Sequence, residues 1–192
     1  MSRPVYLVRH GQSQWNLARL TQGQTPHPRL TDLGRRQAAA AARTIASDVS
    51  RLGLRVERVV TSDLTRAVET ADVVAACFGV TLTCDVRLRE QHLGALQGRR
   101  YEETWAVAGA TDWSDPTQPV YGGESPMDVY HRMRAVLDGL DRSAVTVLVS
   151  HGDAIRAALA HLDGVTPDQT QWLDVPNGAV ARVGDDVTWL GQ

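Results

Sequence analysis

The chain has 192 residues, 43% of them hydrophobic, and a formal net charge of −2. That suffices for one domain with a sizeable core, which excludes disorder, and the charge gives no basic field to suggest nucleic acid. All 20 basic residues are arginine. This excludes lysine Schiff-base chemistry and a P-loop lysine, and gives every cationic contact the planar fork that suits phosphate or carboxylate.

Val5 to Val8 is a short apolar run that predicts a buried strand. It ends at Arg9, His10 and Gly11, where ligands bind in an open α/β sheet. A histidine beside a fixed cation suits a nucleophile for a phosphoryl group. Trp15 to Arg19 can begin a short helix, and Thr21 to Arg29 is a loop by its Pro, Gly and Thr content. Thr31 is an N-cap for a helix over Asp32 to Ser47. Arg55 to Ser62 predicts the second strand. Ser62 or Asp63 then opens a helix to about Phe78 with Leu64, Ala67, Ala71, Val74 and Ala75 on one stripe. Arg66 lies in its first turn or so. By position alone it reads as a solvated helix arginine, but the strand end beside it opens on the crevice that holds His10.

Thr81 to Val86 predicts an edge strand, and Leu88 to Gly98 is irregular. Tyr101 to Val107 is a short helix. Gly109 to Gly123 is a loop with Trp113 and Tyr121, whose aromatics would line a pocket or cover the core. Ser125 caps a helix to about Leu140, with Pro126 at its first position. Ala144 to Ser150 is a second apolar run ending in His151 and Gly152, an echo of the first. Ala154 to Leu162 is a helix, and Gly178 to Leu190 a terminal hairpin. Alternating strands and helices predict an α/β sandwich with a mainly parallel sheet.

Cys77 and Cys84 have no metal-ligand spacing, and buried free thiols in a reducing compartment are expected. No charged and apolar leader precedes the first strand, and no apolar run is long enough to span a bilayer. The expectation is a cytoplasmic protein, monomeric or homodimeric, with neither membrane nor nucleic acid as a partner. His27, His92, His131 and His161 read as surface or helix-face histidines.

Four pieces stand in order: Arg9-His10-Gly11, Ser62 to Ala67 with Arg66, Leu88-Arg89-Glu90 with Gly94 and Gly98, and Ser150-His151-Gly152. Together they resemble the histidine phosphatase superfamily, and Leu30-Thr31 with Gly34 and Gln37-Ala38 adds a fifth match. The resemblance runs from Val5 to about Asn177-Gly178. It implies the phosphoglycerate-mutase-like fold, a three-layer α/β/α sandwich with a mainly parallel central sheet, as a single domain over 1–192 with a lid at about 99–123. It also implies His10 as the phosphorylated nucleophile, with Arg9, Arg66 and His151 on the phosphoryl oxygens. Glu90 would be the acid that protonates the leaving oxygen, then the base that activates water. Asn16, Ser13, Gln22, Gly23 and Gly152 match positions that touch substrate or phosphate.

The chemistry asks for the same set. Phosphoryl transfer needs alignment and charge stabilisation, which two arginines and a charged His151 could supply without a metal or other cofactor. His10 must attack as a neutral imidazole, so its other nitrogen should donate to a backbone carbonyl. Glu90 must hold a proton near neutrality, which requires partial burial or a nearby anion. The mutase pattern carries arginine and tyrosine where Gln91 and Leu93 stand here, and its long basic insert after Gly98 is missing. The expected activity is therefore hydrolysis of small-molecule phosphate monoesters, with phosphoglycerate mutase and a non-catalytic phospho-ligand-binding module as the alternatives.

Overall fold

The computed structural model describes residues 3–109 and 114–191. Trp113 of the predicted lid lies outside them. The central sheet has six strands: β1 (Val5–Arg9), β2 (Arg58–Thr61), β3 (Leu82–Cys84), β4 (Thr146–Ser150), β5 (Val180–Val183) and β6 (Val187–Leu190), in the order β3-β2-β4-β1-β5-β6. The pairs from β3 to β1 are parallel, and β5 and β6 add an antiparallel hairpin beyond β1. The helices are α1 (Gln14–Leu17), α2 (Asp32–Arg51), α3 (Thr65–Phe78), α4 (Tyr101–Gly109), α5 (Pro126–Asp138) and α6 (Gly152–Leu162).

Period-two alternation splits the strands between two cores. Tyr6 and Val8 pack with Val147, Val149 and the buried faces of α2 and α3. Val5 and Leu7 pack with Leu148 and the buried faces of α5 and α6. Ala38, Ala41 and Ala42 of α2 and Ala67, Ala71 and Ala75 of α3 are all buried in the first of these layers. Small side chains there let helices and sheet approach closely. The result is the expected three-layer sandwich.

Local chemistry sets the element ends. The Thr31 hydroxyl accepts from Gly34 N (3.0 Å), and Ser125 with Asp128 forms a capping box at α5. Several element ends differ from expectation. The helix predicted from Ser62 or Asp63 begins at Thr65 instead, because Asp63 is drawn into a two-pronged ion pair with Arg89 (2.7 and 2.5 Å). The first long helix continues to Arg51, which pairs with Asp48 at 2.6 Å.

The expected burial of both cysteines is wrong: Cys77 and Cys84 are exposed. Cys77 falls just off the buried stripe in the last turn of α3, and Cys84 ends the edge strand β3. Among the described residues no helix is long and apolar enough to cross a membrane.

Candidate active site

β1 and β4 are adjacent and parallel, with Arg9 level with Ser150. Each strand therefore releases its histidine at the same height, and His10 N donates to Ser150 O (3.0 Å). The two rings meet edge-on with centroids 5.0 Å apart. The turn after His10 is held from both sides. Gly178 N and Asn177 Nδ2 donate to the His10 carbonyl, and Thr70 Oγ1 accepts from Gly11 N. Gly11 is required there, since a Cβ would stand 2.2 Å from the Gly34 carbonyl oxygen.

His10 Nδ1 lies 2.7 Å from the Gly11 carbonyl oxygen, so it carries the proton. Nε2 is then an acceptor, and Arg66 Nε donates to it at 3.3 Å. Burial, with the charges of Arg66 and Arg9, holds His10 well below the ordinary imidazole value. This is a neutral imidazole of fixed tautomer with its nucleophilic nitrogen turned to a guanidinium.

Arg66 is fully buried rather than solvated. Its other two nitrogens donate to Thr25 O (2.9 Å) and Gly23 O (2.7 Å). Burial pulls it down to about 10, which still leaves it charged at neutral pH. The 21–29 loop thus serves as a carbonyl collar that aims the fork. Arg9 donates to the Val175 carbonyl.

Glu90 follows the Arg89–Asp63 ion pair and is half-buried. Its Oε1 accepts from Asp153 N (3.0 Å), Ala154 N (3.2 Å) and its neighbour Gln91 N (3.0 Å), at the N-terminus of α6. Those donors favour the charged form, but burial and the negative charge of Asp153 outweigh them and raise Glu90 above the usual carboxylate value. Its backbone carbonyl accepts from Arg132 and Gln24 (3.0 Å each). Glu124 receives both of those side chains and His92 N. Glu124, Arg132 and Gln24 are positioning residues that sequence reasoning missed. In the sequence they look like ordinary solvated polar side chains.

Three buried polar atoms have no partner among the described residues: Arg9 Nε and both ring nitrogens of His151. Unpaired buried groups cost about 1–3 kcal/mol each and mark functional sites. Arg9 lines a cavity of about 690 Å³ together with His10, Arg66, Glu90 and Gly152, whereas His151 is not among its lining residues and lies behind it against the His10 ring. Among the described residues no cluster of three or more His, Cys, Asp or Glu is placed to hold a metal ion.

A family model described as the histidine phosphatase superfamily, branch 1, matches residues 5–186. The chain belongs to the histidine phosphatase superfamily. The probable phosphoglycerate mutase GpmB of Yersinia enterocolitica is 35% identical over 198 residues, covering 98% of this chain and 88% of that protein. The mycobacterial glucosyl-3-phosphoglycerate phosphatase complexed with VO3 is 31% identical with a TM-score of 0.82, over 99% of this chain and 98% of that one. The same mycobacterial phosphatase with inorganic phosphate gives 30% and 0.78, over 100% and 96% of the two chains.

Of the remaining sequence-predicted residues, Asn16, Gln22 and Gly23 line the cavity. Ser13 does not; it caps α1 and donates to Gln22 Oε1 (2.6 Å), behind the wall. Of the aromatics in the segment predicted as a lid, Tyr101 and Trp105 of α4 line the cavity, whereas Tyr121 is exposed.

The charged His151 expected from sequence needs correcting. Burial, then the charge of Arg66, holds it well below 6.5, so it is neutral in the free protein. It offers one N–H to an anion rather than a positive charge, unless a phosphate dianion raises it.

Two buried neutral histidines make stability depend on pH. The unfolded chain takes up protons below about 6.5 while the folded state does not, so stability is full above that value and is lost as pH falls. Glu90 acts with the opposite sign, because its folded value is raised. It offsets one histidine over its own window. The net expectation is a loss approaching about 1.4 kcal/mol per pH unit for each uncompensated histidine. Urea unfolding between pH 6.5 and 5.5 measures it, and a midpoint that stays flat would contradict the neutral pair.

Proposed function

We propose that this protein is a metal-independent phosphomonoesterase acting through phosphorylated His10. The phosphate dianion lies among Arg9, Arg66 and His151. His10 Nε2 attacks phosphorus in line with the ester oxygen, and Glu90 gives that oxygen its proton as the P–O bond breaks. The alcohol leaves. Glu90, now a carboxylate, takes a proton from water as the water oxygen attacks phosphorus and the P–N bond breaks, its electron pair returning to His10 Nε2. Inorganic phosphate and neutral His10 result. Stabilisation comes from the two guanidinium forks and the N–H groups around them.

The observation that carries this reading is the fixed tautomer of His10, with Nδ1 bound to the Gly11 carbonyl and Nε2 facing Arg66. The raised Glu90 in the same cavity supplies the acid.

A mutase reading draws on the similarity to a protein named probable phosphoglycerate mutase. Two features favour hydrolysis. Gln91 is buried with its amide donating to the Glu124 carbonyl (2.9 Å), and Leu93 presents a hydrocarbon to the cavity. Neither offers a charge to hold a glycerate carboxylate while the molecule reorients. The test measures phosphate release from a panel of monoesters beside interconversion of 3- and 2-phosphoglycerate. Release should greatly exceed interconversion, and the reverse ratio would establish the mutase.

A further inference from the structure

The cavity is far longer than the phosphate cradle. Gly152 and Asp153 line its phosphate end, and Arg156, Ala157 and Ala160 of the same helix line it further along. At about 1.5 Å per residue, the wall from Gly152 to Ala160 runs about 12 Å. Its volume of about 690 Å³ lies in the range, about 300–1,000 Å³, that encloses drug-sized ligands. A glycerate skeleton would leave most of it unfilled.

Away from the phosphate cradle the lining carries a run of apolar groups beside the polar Thr104, Thr170 and Gln171. Trp105 and Ala108 come from α4, Val129 from α5, Ala157 and Ala160 from α6, and Trp172 from the segment after the 3₁₀ turn Pro167–Gln169. Trp105 and Trp172 are 58% and 78% exposed, so neither ring is needed to fill the core. Large apolar rings left open to water beside a reactive cradle mark a ligand surface. Alanines at 157 and 160 keep the helix wall low where a longer side chain would close the space.

Charge argues the same way. The arginines among the described lining residues are Arg9, Arg66 and Arg156. The first two belong to the phosphate. Arg156 is engaged by Asp153 (2.7 Å) and the Leu173 carbonyl (2.6 Å), with its guanidinium carbon 3.7 Å from the Trp172 ring centroid. Asp153 and Arg156 neutralise one another in that ion pair, so the wall offers no free cation for a second acid on the substrate.

We propose that the substrate is a phosphate monoester whose leaving group is an uncharged alcohol bearing an apolar arm, seated along α6 between Trp105 and Trp172. This rests on the phosphatase reading for its chemistry but not for its binding. Arg156, stacked on Trp172, fixes one ring as a face for the arm, while Trp105 comes from a different element, α4.

Alkylphosphonates, which cannot be hydrolysed, separate binding from turnover. Calorimetric titration with ethylphosphonate and hexylphosphonate reads the arm alone, because the head group is the same. Each methylene removed from water strengthens binding by up to about fourfold, so hexylphosphonate should bind about tenfold or more tighter than ethylphosphonate. The W105A/W172A double variant should lose at least about threefold of that preference. Equal affinities for the two phosphonates would overturn the proposal, and so would a preference unchanged in the double variant. Hexyl phosphate is assayed beside them. A binding preference of the expected size without phosphate release would leave the apolar arm standing and remove the phosphatase reading instead.

Discussion

Replacing His10 by alanine is expected to lower kcat at least about 10⁴-fold for every ester the protein hydrolyses. Loss of the nucleophile from a catalytic unit has effects of that order, because the remaining groups cannot act without it. No second nucleophile stands ready. The His151 ring has its centroid 5.0 Å away, but it follows β4, and the proposed mechanism uses it on the phosphoryl oxygens. The fold should survive. His10 Nδ1 bonds only to the next residue's carbonyl, and the turn is held independently by Asn177, Gly178 and Thr70. The variant should also lose part of the acid sensitivity of unfolding, since one of the two neutral histidines is gone. An unchanged kcat with an aryl phosphate would remove His10 from the mechanism.

Glu90→Gln should produce the second-largest loss, and one that depends on the leaving group. Glutamine can keep the Oε1 contacts with the backbone N–H groups of Gln91, Asp153 and Ala154, so the loop geometry is preserved while the proton is lost. Esters of poorly acidic alcohols should slow by about 10²–10⁴-fold. An aryl phosphate, whose phenol leaves without help, should still phosphorylate His10 quickly. Its hydrolysis then stalls at water attack, so phenol appears in a burst followed by a slow steady phase.

The pH profile follows from the same two groups. His10 must be neutral, and its value is held well below 6.5, so the acid limb lies there. Glu90 must be protonated, so activity on alkyl esters falls as pH rises through its raised value. The Gln variant should lose that alkaline limb. A variant that slows aryl and alkyl esters equally in the first turnover would contradict Glu90 as the proton donor.

The two histidines that meet at the candidate site were legible in the sequence because they stand where a strand stops. His10 and His151 each follow an unbroken apolar run, and the parallel register of β1 and β4 does the rest. Arg66 was ambiguous for a physical reason. An arginine in the first turn of a helix has the same local pattern whether it faces water or a crevice. Its full burial follows from the 21–29 loop folding over it with two carbonyls, a contact with no local signal. The Glu124–Arg132–Gln24 cluster was illegible for the same reason: its partners are far apart in the chain and each lies in a polar stretch.

Ala157 and Ala160 have the spacing of a buried helix face and are indeed buried, yet they also form the cavity wall. Periodicity tells which side of a helix is apolar, not whether a neighbour or a ligand lies against it. The cysteines failed on a smaller scale. Cys77 sits among apolar residues in the sequence, but the buried stripe of α3 passes beside it.

The central claim is the phosphohistidine itself. Protein mixed with excess substrate is quenched in alkali during turnover, digested, and examined by mass spectrometry. The account predicts one phosphoryl group on the peptide containing His10, stable in base and lost in mild acid, and accumulating further in Glu90→Gln. A phosphoryl group on another residue, or none at all while phosphate is being released, would contradict it.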